Sequence, residues 1–166
     1  TTLRYILQVY HNGEPSKSRL VEYSDGKQVS FAVRLAPGRD YQFVVWADVV
    51  TNGKADVDNH YNTSDLENVT LNNTWIAMDE SRDAFTATEP IIDYNGKLDI
   101  NIELKRPFAK LRVITTDMVA LKNIKIEPKT AKVEYTTQHR ASFNALAGTY
   151  ADASVSKTHN FEIAPY

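Results

Sequence analysis

Asp56 and Asp58 stand two residues apart in Asp56-Val57-Asp58-Asn59-His60, inside a polar, turn-rich stretch from 50 to 73 without a firm strand pattern. Alternate carboxylates on a loop are how a calcium loop begins. The glycine of the sharp turn and the distant bidentate glutamate of an EF-hand are missing, and short Asp and Asn side chains also bond their own backbone in Asx-turns. The segment therefore reads as a structural loop, with Ca²⁺ at Asp56 and Asp58 as the alternative. His11, His60, His139 and His159 are scattered, with no His-x-His, His-Glu-x-x-His or Gly-x-Ser-x-Gly pattern. Asp79, Glu80 and Asp83 gather around Arg82 as a charged surface turn does, and the six glycines are isolated, so no phosphate cradle is built. With no nucleophile beside a base and no convincing ligand set, the sequence predicts a non-enzyme without cofactor or catalytic metal. Trp46, Trp75 and Tyr61 offer the remaining binding chemistry, an aromatic platform for sugar rings. Aromatic residues at strand spacing more often fill cores and interfaces, which makes glycan binding the alternative.

The elements that must carry these residues are strands. Leu98, Ile100, Ile102 and Leu104 alternate with polar residues, as a half-buried strand requires, and a helix would scatter them over several faces. Asn95-Gly96 before them tolerates the positive φ of a tight turn. The same alternation runs through Leu3, Tyr5, Leu7 and Val9, then Val29, Phe31, Val33 and Leu35, then Tyr41, Phe43, Val45 and Ala47. Pro37-Gly38 between the last two sets predicts a hairpin over 27–49. Val44 and Trp46 make both faces of its second strand apolar, which predicts a strand covered on both sides. The first strand, 3–10, also carries apolar atoms on both sides, as an edge or exchanged strand does and as a covered strand does equally. Later strands are expected at 84–88, 123–127, 131–136 and 155–163, and single helical turns at 64–68 and 143–146. The expected architecture is all-β, a two-layer antiparallel sandwich, with Leu98, Ile100, Ile102, Leu104, Leu111, Val113, Val29, Phe31, Val33 and Phe43 in its core.

At 166 residues the chain suits a single domain, 1–166, able to bury about 70% of its unfolded surface. A composition 42% hydrophobic and 24% charged is that of an ordinary globular protein, and no apolar run approaches the ~20 residues of a membrane-spanning helix. A net charge of −2 with dispersed Lys and Arg leaves no basic stripe for nucleic acid. The lack of cysteine excludes a disulfide framework, a thiolate nucleophile and cysteine-ligated zinc. The opening Thr1-Thr2 and the closing Ala164-Pro165-Tyr166 read as a processed start and a cut at a linker.

Five segments occur in order: Tyr41 to Asp48 (YQFVVWAD), Tyr61 to Leu66 (YNTSDL), Arg82 to Phe85 (RDAF), Leu104 to Leu111 (LKRPFAKL) and Phe143 to Ala145 (FNA). Together they resemble the N-terminal domain of the fimbrillin-like proteins of the Bacteroidetes, the FimA- and Mfa-type pilins and their surface lipoprotein relatives. The resemblance implies a transthyretin-like β-sandwich and the N-terminal part of a longer two-domain protein. It also implies export to the cell surface and outer membrane, with a lipid anchor outside this chain as the membrane attachment. The implied role is a structural or adhesive subunit of a fimbrium, partnered with other pilin-like subunits through strand addition, or with a host protein or glycan. The lipobox cysteine and second domain of that family are not in this sequence.

Overall fold

The computed structural model describes residues 2–26, 28–51, 56–72, 79–109, 114–134, 139–151, 154–155 and 158–162. Its first hairpin joins β1 (Thr2–His11) to β2 (Glu14–Ser24). The two-residue turn is Asn12-Gly13, with φ of 52° and 79°, values that glycine and asparagine tolerate best. β3 (Tyr41–Val50) lies on the other side of β1, and β6 (Ala84–Ile91) completes a four-stranded antiparallel sheet in the order β2-β1-β3-β6. A second four-stranded sheet has the order β10-β9-β5-β4, from β4 (Tyr61–Asn62), β5 (Val69–Leu71), β9 (Ser142–Asn144) and β10 (Thr149–Tyr150). β8 (His139–Arg140) pairs with β11 (Ser154–Val155), and β7 (Thr130–Glu134) with β12 (Thr158–Glu162). One 3₁₀ turn, Glu80–Arg82, precedes β6, and one short helix, α1 (Met118–Asn123), follows it.

The two four-stranded sheets face each other as an all-β sandwich. Ile6 and Tyr10 of β1, Val44 and Trp46 of β3 and Ala84 of β6 meet Tyr61, Val69 and Phe143 of the second sheet, with Leu66 and Ala145 between. The opposite face of the first sheet is apolar too: Leu7, Val9, Tyr41, Phe43, Val45 and Ile91. Phe31, Val33, Leu35, Tyr94, Leu98, Ile102 and Leu104 cover it. β3 is therefore buried on both faces, as its composition predicted.

Several expectations need correction. Of the two readings of β1, the covered strand holds and the edge strand does not: it lies between β2 and β3. The segments 28–35 and 97–104 alternate between half-buried and exposed positions, yet neither is in a ladder, and Ile100 is 39% exposed. Alternation reports which side of an extended chain is apolar. It does not bring a partner backbone to hydrogen-bonding distance. Of the predicted core, Phe43 is fully buried, and Val29, Phe31, Val33, Leu98, Ile102 and Leu104 are half-buried; Leu111 and Val113 lie outside the described residues. Residues 124–127 form a turn and coil after α1, not a strand. β2 was unforeseen because its sequence, EPSKSRLVEYS, is largely polar and exposed.

Candidate functional site

The densest polar cluster begins at Arg4. Its place in β1 puts it on the face of Ile6 and Tyr10, opposite Asp48 in the register with β3. Arg4 is 0% and Asp48 1% exposed, so neither charge reaches water and each needs the other. Arg4 Nε donates to Asp48 Oδ1 at 2.9 Å and Nη2 to Oδ2 at 2.7 Å, the parallel two-bond fork that suits guanidinium and carboxylate. The remaining donors reach the loop: Nη1 to Asp56 Oδ1 and Nη2 to Asp58 Oδ1, both at 2.9 Å. Arg19 of β2 adds a second fork, Nε to Asp56 Oδ2 at 2.7 Å and Nη2 to Asp56 Oδ1 at 2.9 Å. Its other donations go to Thr63 Oγ1 at 2.8 Å and the Thr63 carbonyl at 2.5 Å. Thr63 in turn donates through its hydroxyl to Asp58 Oδ1 at 2.6 Å and through its backbone N–H to Asp58 Oδ2 at 3.0 Å.

The electrostatics follow from these bonds. Arg19 and then Arg4 hold the Asp56 carboxyl below the usual carboxylate range. Burial alone would raise Asp58, but the bonds from Thr63 and Arg4 outweigh it and the net direction is down. Burial likewise opposes the charge of Arg4, and the bonds to Asp48 and Asp58 more than restore it. The cations attracted by Asp56 and Asp58 are thus two guanidinium groups of the same chain. Among the described residues no group of three or more His, Asp or Glu is placed to hold a metal ion.

A second polar group surrounds His60. Asp79 caps the 3₁₀ turn through the Ser81 N–H, and the Ser81 hydroxyl donates to Asp79 Oδ1 at 2.5 Å. Ser81 Oγ therefore accepts from His60 Nε2 at 2.8 Å, which places the imidazole proton on Nε2 and leaves a buried Nδ1 without a partner among the described residues. In a hydrolase triad the histidine sits between acid and hydroxyl and takes the hydroxyl proton. Here the serine proton points at the carboxylate instead, which does not activate it.

Trp46 and Tyr61, the expected sugar platform, are 0% and 5% exposed, so they are core residues and not a surface for a glycan. Trp75 lies outside the described residues. Phe108 stacks on Tyr61 with ring centres 5.7 Å apart, and stands edge-on to Trp46 at 6.3 Å and Phe143 at 6.1 Å. The Tyr61 hydroxyl donates to the Arg82 carbonyl at 2.6 Å, and burial pushes its pKa up to about 12. Ala145 N–H donates to the Leu66 carbonyl at 2.8 Å, and Arg106 binds Asp83 at 2.7 Å while lying 5.0 Å from the Phe85 ring centre. Trp46, Tyr61, Ala84, Phe108 and Phe143, one from each of the five segments singled out above, thus lie on one side of the first sheet, while Leu104 packs on the other.

The model of a family of unknown function, DUF6562, matches residues 1–165. The chain belongs to DUF6562. No curated protein and no solved structure matches it. In this DUF6562 chain the described Arg4 cluster is bonded within itself, while the buried Trp46 Nε1 and His60 Nδ1 have no partner among the described residues. Neither 28–35 nor 97–104 makes a backbone-to-backbone hydrogen bond to any described residue. Among the described residues nothing pairs with the outer margin of β2, which carries Pro15 and Lys17 and a register shift against β1 between Gln8 and Tyr10.

Proposed function

We propose that this DUF6562 domain is a non-catalytic structural or adhesive subunit of the cell surface that joins neighbouring subunits by strand addition. The observation that carries this reading is the pair of extended segments, 28–35 and 97–104. Their apolar side chains are already docked on the first sheet, while among the described residues they make no backbone-to-backbone hydrogen bond. Extended chain in that state is what an added strand completes, because main-chain bonds supply affinity and alternate side chains supply fit. The resemblance of the five ordered segments to fimbrillin-like proteins supports the same role and suggests a transthyretin-like sandwich exported as part of a longer surface protein.

The test is made on cells that produce the protein. Protease applied to intact cells should cleave it, and surface extracts run without heating should contain it in species larger than the monomer. A chain that is protected in intact cells and monomeric in every extract would refute the proposal.

A further inference from the structure

We infer that the segment 114–129, with α1 at its centre, is a docking surface for an anionic lipid membrane. Lys122, Lys125 and Lys129 meet the headgroup phosphates, and Val119, Ile124 and Ile126 enter the boundary of the acyl chains. The inference goes beyond strand addition and does not depend on it.

The first observation is a helix without a buried face. α1 has six residues, far fewer than the ~12–15 at which an isolated helix is even marginal, so packing must hold it. Yet none of its residues is buried, and from 114 to 129 only Met118, Leu121 and Pro128 are half-buried. Val119 is 76% exposed, Ile124 66% and Ile126 50%. A single exposed aliphatic side chain is ordinary. Three between positions 119 and 126 make an apolar surface that nothing among the described residues covers.

The second observation is the way the helix ends. Ile126 N–H donates to the Leu121 carbonyl at 2.9 Å and Lys125 N–H to the Lys122 carbonyl at 3.0 Å, the paired bonds of a Schellman cap. That cap needs a left-handed residue at position 125, and Lys125 has a φ of 61°. Glycine takes this conformation without strain, whereas a lysine is strained by its Cβ. The strain returns nothing to the fold. Among the described residues Lys122, Lys125 and Lys129 are in no ion pair, whereas Arg4, Arg19 and Arg106 are each held by a carboxylate. Lys122 complements the negative end of the helix, but Lys125 and Lys129 lie past it. Strain retained at a residue that does not serve the fold points to function.

Charge and composition select the occupant. Residues 114–132 hold four lysines against Asp117 and Glu127, a net +2 in a chain of net −2. An anionic partner is favoured, and a second copy is not, because a two-fold contact would set the same lysines against each other. Protein interfaces are enriched in aromatic residues and arginine and poor in lysine. Positions 114–132 contain no aromatic residue and no arginine. Lysines among aliphatic side chains suit a bilayer instead: the aliphatic groups enter the acyl boundary, and the lysine stems lie along it with their ammonium groups at the phosphates.

The test uses the 166-residue chain and its Ile124→Ser and Lys125→Gly variants. Flotation reads their partition onto vesicles of phosphatidylcholine alone and of equal parts phosphatidylcholine and phosphatidylglycerol. Each net positive charge at an anionic surface is worth about fivefold, so at low salt the parent should prefer the anionic vesicles by at least about tenfold. Ile124→Ser should weaken binding by about tenfold or more at every salt concentration, since it removes apolar burial. Lys125→Gly should weaken it about fivefold at low salt and little in ~1 M salt, where charges are screened within ~3 Å. Neither should lower the melting temperature, because Ile124 is exposed and glycine relieves the strained cap. No partition onto anionic vesicles, or partition that both variants leave unchanged, would overturn the inference. A concentration-dependent dimer abolished by Ile124→Ser would give the surface to a second copy and overturn it. Soluble polyglutamate bound as tightly as the vesicles would give it to an acidic protein, with the same consequence. A lower melting temperature in Lys125→Gly would show the lysine serving the fold and would also overturn it. Surface exposure and assembly are read separately by the experiment on intact cells.

Discussion

Replacing Asp48 with Ala removes both oxygens of a fork that holds a guanidinium with no exposure to water. Breaking a buried pair by deleting one partner typically costs about 3–5 kcal/mol, because the survivor stays buried and uncompensated. Arg4 keeps Asp56 and Asp58, each at 2.9 Å, so the lower end applies, about 3 kcal/mol. At roughly 2–4 °C per kcal/mol for a chain of this size, the melting temperature should fall by about 6–12 °C. Asp56→Ala is the comparison: its side chain is 38% exposed, water screens the loss, and the cost should stay below about 1 kcal/mol. The double variant Arg4→Met with Asp48→Leu removes both charges and should recover to within about 1 kcal/mol of the parent, as exchanges of buried pairs for apolar residues often do. Urea unfolding followed by the fluorescence of buried Trp46 reads all three, provided the slope is unchanged between variants. Equal midpoints for Asp48→Ala and Asp56→Ala would refute the reasoning. That result would mean water reaches Arg4 as readily as it reaches the loop.

Three further outcomes are expected. Asp56 and Asp58 have folded-state pKa values below the unfolded value, so their stabilisation is full above about pH 4 and is lost as the pH falls through the depressed folded values. Unfolding free energy measured from pH 7 to 2 should be flat at first and then drop, and the drop should shrink in the Asp56→Ala, Asp58→Ala double variant. Ile6→Ala, at 0% exposure, should cost about 2–5 kcal/mol, whereas Ile100→Ala, at a position 39% exposed, should cost less than about 2 kcal/mol by denaturant titration. Calorimetric titration with Ca²⁺ should show no saturable binding, because guanidinium groups occupy Asp56 and Asp58; micromolar affinity lost in Asp58→Ala would contradict the assignment.

The all-β class and the double burial of β3 were legible because period-2 alternation, and its absence in Val44-Val45-Trp46, report directly on side-chain partition. Asn12-Gly13 carries the same turn signal as Asn95-Gly96, but the polar strand after it hides the hairpin. The ionic cluster was half legible. Asp56 and Asp58 stood out as carboxylates seeking a cation, but Arg4 alternates with Leu3 and Tyr5 and so reads as a solvated outward position. At the level of Arg4 the first sheet is covered on both faces, so neither side of β1 is outward there. The signal lies in YQFVVWADVV: a strand apolar on both faces that carries Asp48 requires a buried cation beside it. The ladders absent from 28–35 and 97–104 were beyond reach, since inter-strand distance leaves no mark on the pattern of one strand.

The Arg4 and Asp48 pairing also bears on how the chain finds its fold. Both neighbours of β1 come from the first 50 residues, and every carboxylate bound by Arg4 lies at or before Asp58. Contacts this local can close while later residues are still being synthesised. A slip of one residue between β1 and β3 would exchange the faces of the whole strand, leaving Asp48 buried without its partner and turning Arg4 in toward Phe43, Val45 and Ile91 as Leu7 and Val9 leave that face. Most wrong alignments of two apolar strands differ little in burial, but this one strands two charges. The pair therefore works as a key that only one alignment turns, and refolding of the Arg4→Met, Asp48→Leu variant, followed by stopped-flow fluorescence, should be slower or show more phases than that of the parent even where its final stability matches.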